Sequence, residues 1–288
     1  MNRHAAYVEG IAFWAPGLPD WAAAAPALCD AAPPASHEGA RRIPVPQWLS
    51  AGERRRAPET VALALEAGRM ALQASGRRPE DLPSVFVSAH GDLPIIDTLC
   101  ATLASDALLL SPTKFLNSIH NAPAGLWSMA ASSRAANTAL TAHTHSFAAG
   151  ALEALLQCAT DAPAVLLVGC DTSSTGPLMQ VTDSRGTLAV ALVLSAERSA
   201  AASHRLDWAL QSPPQSPPAL CSGAAQALTH NGMADALPLF EALANPVACT
   251  LGLPLSAWQS LQLHIEPLQP PANDPPGCGP DVLANRTE

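Results

Sequence analysis

The order of apolar segments along this chain predicts an α/β layered domain, on three observations. Short apolar runs of strand length, at 84–88, 165–168 and 187–195, alternate with stretches whose apolar residues recur at helical spacing. The 288 residues are ample for a real core and allow one large domain or two small ones. A hydrophobic content of 48% against 14% charged residues belongs to a globular chain, not a disordered one.

Residues 7–14 alternate well enough for a first strand, closed by the turn Ala15-Pro16-Gly17. Residues 18–48, rich in Pro and Ala, predict a short helix and surface loops. After Arg54-Arg55-Arg56, residues 58–74 carry Val61, Leu65 and Leu72 on one helical stripe. Pro58 suits the first turn of that helix and Gly76 its stop. Residues 84–88 read as a buried strand, followed by Ala89-His90-Gly91-Asp92 and a helix over 94–109. Next come a helix over 117–132, a buried strand over 138–142, a helix over 147–157 and a buried strand over 165–168. The clearest strand is 187–195. Residues 212–218, with four prolines, form a linker or loop. Residues 238–244 predict a short helix between Pro238 and Pro246, and 261–266 alternate as a terminal strand. From Pro267 onward Pro, Asn, Asp and Gly dominate and predict a disordered tail.

Composition removes several classes of function. A formal net charge of −9, with Lys114 the only lysine, is a poor basis for neutralising nucleic-acid phosphates. The seven cysteines are dispersed, odd in number and never in a C-x-x-C pair, as expected of buried reduced thiols in a cytoplasmic protein. No basic segment leads into an apolar one at the start of the chain, and no run approaches the roughly 18 apolar residues of a membrane span. Phosphate-cradling glycine loops and zinc patterns are absent from the sequence.

The most informative segment is Asn121-Ala-Pro-Ala-Gly125-Leu-Trp-Ser128-Met, followed by Asn137-Thr-Ala-Leu-Thr-Ala-His-Thr144-His-Ser146-Phe-Ala-Ala-Gly150. It resembles the central stretch of β-ketoacyl-acyl carrier protein synthases of the thiolase superfamily. There an N-x-x-A-G-x-x-S-I helix precedes a strand ending in T-A-C-(S/T)-S-G, which carries the nucleophilic cysteine. Counting forward from Asn121, and back from Gly169 at the end of Val165-Leu-Leu-Val-Gly169, the family spacings meet at Thr144. The 187–195 strand resembles the family's G-A-G-x-L-V-L-E strand. The resemblance implies a thiolase-like layered fold, essentially one amino-terminal half. A βαβαβαββ unit would span 1–198, a reduced carboxy-terminal remnant packing on the core would span 199–266, and the disordered tail 267–288.

With Thr144 where the cysteine belongs, the chain further resembles the chain-length factors of type II polyketide systems. The S-(I/V)-H-N-A-x-A-G and S-F-A-A-G patterns narrow this to those of aryl polyene clusters. Such a subunit would use no cofactor, heterodimerise with an active β-ketoacyl-ACP synthase, and meet the acyl carrier protein through that complex. Its interface and tunnel wall would include His120, Asn121, Ala124, Gly125, Ser128, His143, His145 and Ser146.

Chemistry read from the residues themselves leaves alternatives open. A threonine hydroxyl is a weak nucleophile without an adjacent base. His143 and His145 flank Thr144, but neighbours on a strand point to opposite faces. The two imidazoles would share a face, with no third metal ligand at suggestive spacing. Ser146 lacks the G-x-S-x-G elbow, and a serine satisfying a helix start is the other reading. His120 and Asn121 meet a partner or satisfy their own helix. Cys170 is a reactive thiol or an inert one, and the triple arginine is a solvated loop or a dock for an acidic partner. Beyond Ser195 the histidines are His204, His230 and His264, none in the family's G-T-x-T or K-x-x-x-G-H setting. A stand-alone acyltransferase or hydrolase using Ser146 or Thr144 stays open, as does a scaffold that homodimerises through the 117–132 helix.

Overall fold

The structure, a computed structural model, describes residues 4–32, 43–216 and 218–269. Eight strands form one sheet: β1 (His4–Trp14), β2 (Ser84–Val87), β3 (Asn137–Leu140), β4 (Ala164–Asp171), β5 (Leu188–Ser195), β6 (His204–Gln211), β7 (Cys249–Pro254) and β8 (Ser260–Pro267). Their spatial order is β3-β2-β4-β5-β1-β6-β8-β7. The β2–β3 and β2–β4 pairings are parallel and the others antiparallel, so the parallel strands need helical crossovers.

Two central strands explain themselves. All eight residues of β4 and all eight of β5 are buried, as their continuous apolar sequences require when helices cover both faces. On one face lie α3 (Glu59–Ser75) and α6 (Ala122–Ala130), packing Leu63, Leu65 and Trp127 against Phe86, Leu166 and Val193. On the other lie α1 (Trp21–Ala27), α7 (Ser146–Thr160) and α9 (Leu237–Ala244), bringing Phe147, Leu155 and Phe240 onto Phe13, Val165 and Leu192. The one-turn helices α2 (Ala51–Arg54) and α8 (Gly223–Gln226) lie in the connections.

Helix α3 stops where the sequence places its stop: Gly76 takes a left-handed φ of 70° and donates its N–H to the Leu72 carbonyl. Its approach to the sheet is close at a bulge in β1, where a Cβ on Gly10 would overlap the Ala71 carbonyl oxygen. The bulge buries Glu9, which takes a two-pronged ion pair from Arg77 beyond the end of α3. Burial pushes that carboxyl up, but the hydrogen bonds from Arg77 and neighbouring serines outweigh it and leave it below its ordinary range.

Several sequence expectations shift. The 94–109 helix is α4 (Leu93–Ser105), because Asp106 turns extended and caps a separate 3-10 turn at Ala107–Leu109 through its carboxylate on the Leu108 N–H. The 117–132 helix divides into α5 (Pro112–Ser118) and α6. Pro123 has no N–H to continue a helix begun earlier, but it suits a first turn. The strand expected over 138–142 ends at Leu140 and is not buried. Asn137 is exposed and the other three residues are half-buried, because β3 is the sheet's outer strand and pairs only with β2.

Strand β6 carries a readable pattern, with Leu206 and Trp208 alternating against Arg205 and Asp207, yet only the fold identifies it as the strand beside β1. The loop expectations for 33–42, and the disordered-tail expectation from residue 270 on, lie outside the described residues. The terminal strand itself runs on to Pro267.

Candidate functional site

The β3–α7 connection holds the position singled out by sequence. After Leu140 the chain passes through Thr141 and Ala142 into a 3-10 turn at His143–His145, and α7 begins at Ser146. His143 adopts φ +53°, a left-handed backbone uncommon outside glycine. Thr144 is therefore on a turn and exposed, not on a strand, and the alternation argument for its flanking imidazoles does not apply. His143 is exposed and His145 half-buried.

Ser146 is the pin of this turn. Its hydroxyl accepts from the Ala142 N–H at 2.9 Å and donates to the His143 carbonyl at 2.8 Å, in a fully buried setting. Its only proton is spent on the backbone, and no imidazole among the described residues hydrogen-bonds to it or to Thr144. Ser146 is thus a satisfied structural hydroxyl, without the base a serine nucleophile needs.

Two carboxylates that the sequence did not single out organise the surroundings. Asp235, on a 3-10 turn at Ala234–Ala236, accepts the Phe147 and Ala148 N–H groups through Oδ2, at 2.8 and 3.1 Å. These are donors of the first turn of α7, which has no side-chain cap of its own. The other oxygen of Asp235 is buried without a partner. Burial drives its carboxyl up to about 7, against the pull of the two N–H groups. Asp171, at the end of β4, accepts from the Ser88 hydroxyl and the Ala89 N–H, both at 2.7 Å, and holds the loop after β2. Burial raises it to about 6.

Thr144 and Asp235 line the same open cleft of about 400 Å³, together with His90, His143, Asp183 and His230. His90 meets His143 edge-on with ring centroids 5.7 Å apart, and its Nε2 pairs with the Thr182 hydroxyl at 2.9 Å. Burial first, and His143 second, lower the basicity of His90. His230 pairs with Asp183 at 2.9 Å. No group of three metal-ligating side chains occurs among the described residues.

The remaining singled-out residues fall on or beside α6. His120 places its Nε2 3.1 Å from the Ser88 carbonyl, tying the α5–α6 corner to the end of β2. Asn121 is exposed at the helix start and makes no side-chain cap. Ala124 is buried and Gly125 exposed, with open space where a Cβ would stand. Asn137, which the motif reading passed over, bonds the Ala124 carbonyl at 2.8 Å and the Ser128 hydroxyl at 3.0 Å, lashing β3 to α6. Cys170 is buried, and desolvation raises its thiol well above the ordinary range, so it is inert. A partly open gap between His120, Ser88 and Cys170 has about 20 Å³, room for a water.

The surface beside this site is apolar. Leu108, Leu109, Phe115, Leu116 and Met129 are 93%, 72%, 60%, 62% and 67% exposed along the consecutive α4–α6 segments. Of these segments α6 packs against β3, whose outer edge pairs with no described strand. No helix is long and apolar enough to cross a membrane among the described residues.

Comparison with known proteins gives the same reading of the fold. The family model of the β-ketoacyl synthase amino-terminal domain matches residues 28–259. Among solved structures, a chain of the complex between the ketosynthase ApeO and its chain length factor ApeC, from Xenorhabdus doucetiae, is similar. It shares 20% identity at TM-score 0.68, covering 91% of this chain and 99% of that one. The ishigamide ketosynthase/chain length factor shares 11% at TM-score 0.69, covering 92% and 100%. The AntDE:AntF complex, a type II polyketide acyl-carrier protein with its ketosynthase bound to the hexaketide, shares 14% at TM-score 0.65, covering 93% and 100%. No curated protein sequence matches the chain. The mixed sheet with helices on both faces is thus the thiolase-like half expected from the sequence.

Proposed function

We propose, from the premise that this chain belongs to the β-ketoacyl synthase family, that it is a ketosynthase-like subunit of the chain-length-factor kind. It pairs with a catalytic β-ketoacyl-ACP synthase and shapes that enzyme's acyl tunnel, in biosynthesis of the aryl polyene or polyketide type. The partner supplies the cysteine and the imidazoles, and the acyl carrier protein meets this chain within the pair. This chain supplies a wall.

The observations that carry the reading are the exposed apolar side chains between Leu108 and Met129 and the open edge of β3, which α6 adjoins. Exposed apolar surface and an unpaired strand edge are both costly to leave in water, and a partner subunit would reduce the cost. The same strand leads into the turn bearing Thr144, so a partner seated there sits next to the vacated nucleophile position. Chain length factors are named in two of the similar complexes, and a carrier protein in the third.

Co-expression with a full-length β-ketoacyl-ACP synthase from the same organism tests the proposal. The pair is expected to co-purify as a heterodimer, and Leu116→Asp to weaken it at least about tenfold, since a charge would be buried at the contact. A stable homodimer that gains nothing from the ketosynthase, or acyl transfer by this chain alone that Thr144→Ala abolishes, would overturn it.

A further inference from the structure

We propose that Asp235 holds the vacated nucleophile position electrostatically off, because its carboxylate fills the first-turn N–H groups of α7 that would otherwise stabilise a thiolate at position 144. The inference deepens the reading of Thr144 given above, but its test needs neither partner nor acyl substrate.

The start of a 15-residue helix concentrates unsatisfied N–H groups and roughly half a positive charge, which lowers the pKa of a nearby thiol. Position 144 stands two residues before the first residue of α7 and lines the same cleft as Asp235. It is well placed to feel that field. In this chain the field is already spent: Asp235 reaches back from a segment some ninety residues downstream and takes the Phe147 and Ala148 N–H groups on one oxygen. Its second oxygen is buried without a donor, so its charge is left incompletely compensated beside the cleft. A second anion at 144 would face that charge instead of the bare helix end.

The other ionisable groups do not reverse this sign. Asp171 at the end of β4 adds negative charge behind Asp235, and Asp183 on the far wall is shared between Arg185 and His230. His90, from the loop after β2, is discouraged from protonation by burial, and His143 and His230 sit on the exposed rim. A loss of the cysteine at 144 and an acid at 235 are therefore two parts of one inactivation, and restoring the sulfur alone does not restore a reactive centre.

The experiment introduces the sulfur into the full-length chain as Thr144→Cys, and as Thr144→Cys combined with Asp235→Asn. Alkylation by iodoacetamide, in which the thiolate displaces iodide, is followed from about pH 6 to about pH 9 by peptide-resolved mass spectrometry. The exposed Cys100 serves as internal reference. In the single variant the introduced thiol is expected to titrate no lower than an ordinary thiol, about 8.5. Adding Asp235→Asn is expected to lower that midpoint and to raise alkylation at about pH 8, where Asp235 is ionised, at least about threefold, with Cys100 unchanged. Asp183→Asn, an exposed carboxylate on the same cleft, is expected to change it less than about twofold. A midpoint below about 7.5 in the single variant would overturn the proposal, as would an unchanged rate in a folded double variant. Should the double variant not fold, the single-variant midpoint decides. Failure of the heterodimer test leaves these rates untouched, so the two readings fall separately.

Discussion

The β4–β5 pair and the outer strand β3, with the α4–α6 segments that precede it, are opposite environments. In β4 and β5 every residue is buried, every strand neighbour is present, and helices cover both faces. At the edge, β3 lacks a described neighbour on one side, its residues are exposed or half-buried, and the adjoining helices present Leu108 and Phe115 to solvent. The first region is finished within the chain. The second keeps apolar side chains at the surface, as the proposed pairing with another subunit requires.

The largest effect expected from this contrast is on stability. Leu192→Ala, at the centre of β5, should cost about 2–5 kcal/mol in denaturant unfolding of the isolated chain. Leu116→Ala should stay within about 0.5 kcal/mol, since it removes contacts the isolated chain does not make. Equal costs would erase the distinction.

Between these regions lies Asp235, and its contribution is read by pH. A carboxyl raised from 3.8 to about 7 in the folded chain binds its proton more tightly there than when unfolded. Its stabilising contribution is complete below about pH 4 and is lost as the pH rises through about 7. Asp171, raised to about 6, slopes the same way. Asp235→Asn should therefore flatten the fall in melting temperature between about pH 5 and pH 8, and leave the variant about 2–4 kcal/mol more stable than the parent at pH 8. An unchanged slope would mean that the buried carboxylate is stabilised by more than two N–H groups.

A smaller effect is expected at Ser146. Ser146→Ala strands the Ala142 N–H and the His143 carbonyl at the turn and should cost about 1–2 kcal/mol. Assembly with a ketosynthase should survive in proportion to folding. Loss of product without loss of stability would return Ser146 to a chemical role.

Much of the fold could be read along the chain because its causes are local. The apolar run 187–195 is long enough to demand burial on both faces, Gly76 is the residue that tolerates the left-handed stop, and the spacing between Asn121 and Gly169 puts Thr144 at the turn before α7. The site was less readable. The strand alternation used for His143 and His145 failed because the chain leaves β3 two residues early, drawn into a turn that Ser146 closes with its own hydroxyl. Asp235 carried no local signal, since its partners Phe147 and Ala148 are far away in sequence. The break between α5 and α6, by contrast, was written in Pro123.

By itself, then, the sequence determined the layered α/β class and the family, because periodicity, spacing and side-chain identity are properties of the chain. Only the tertiary structure decided that β3 is an outer strand, that Ser146 is used up on its own backbone, and that an acid from the last third of the chain caps α7. Each of those depends on which distant groups are brought within hydrogen-bond reach, and long-range proximity is set by packing of the whole sheet, not by any segment of it.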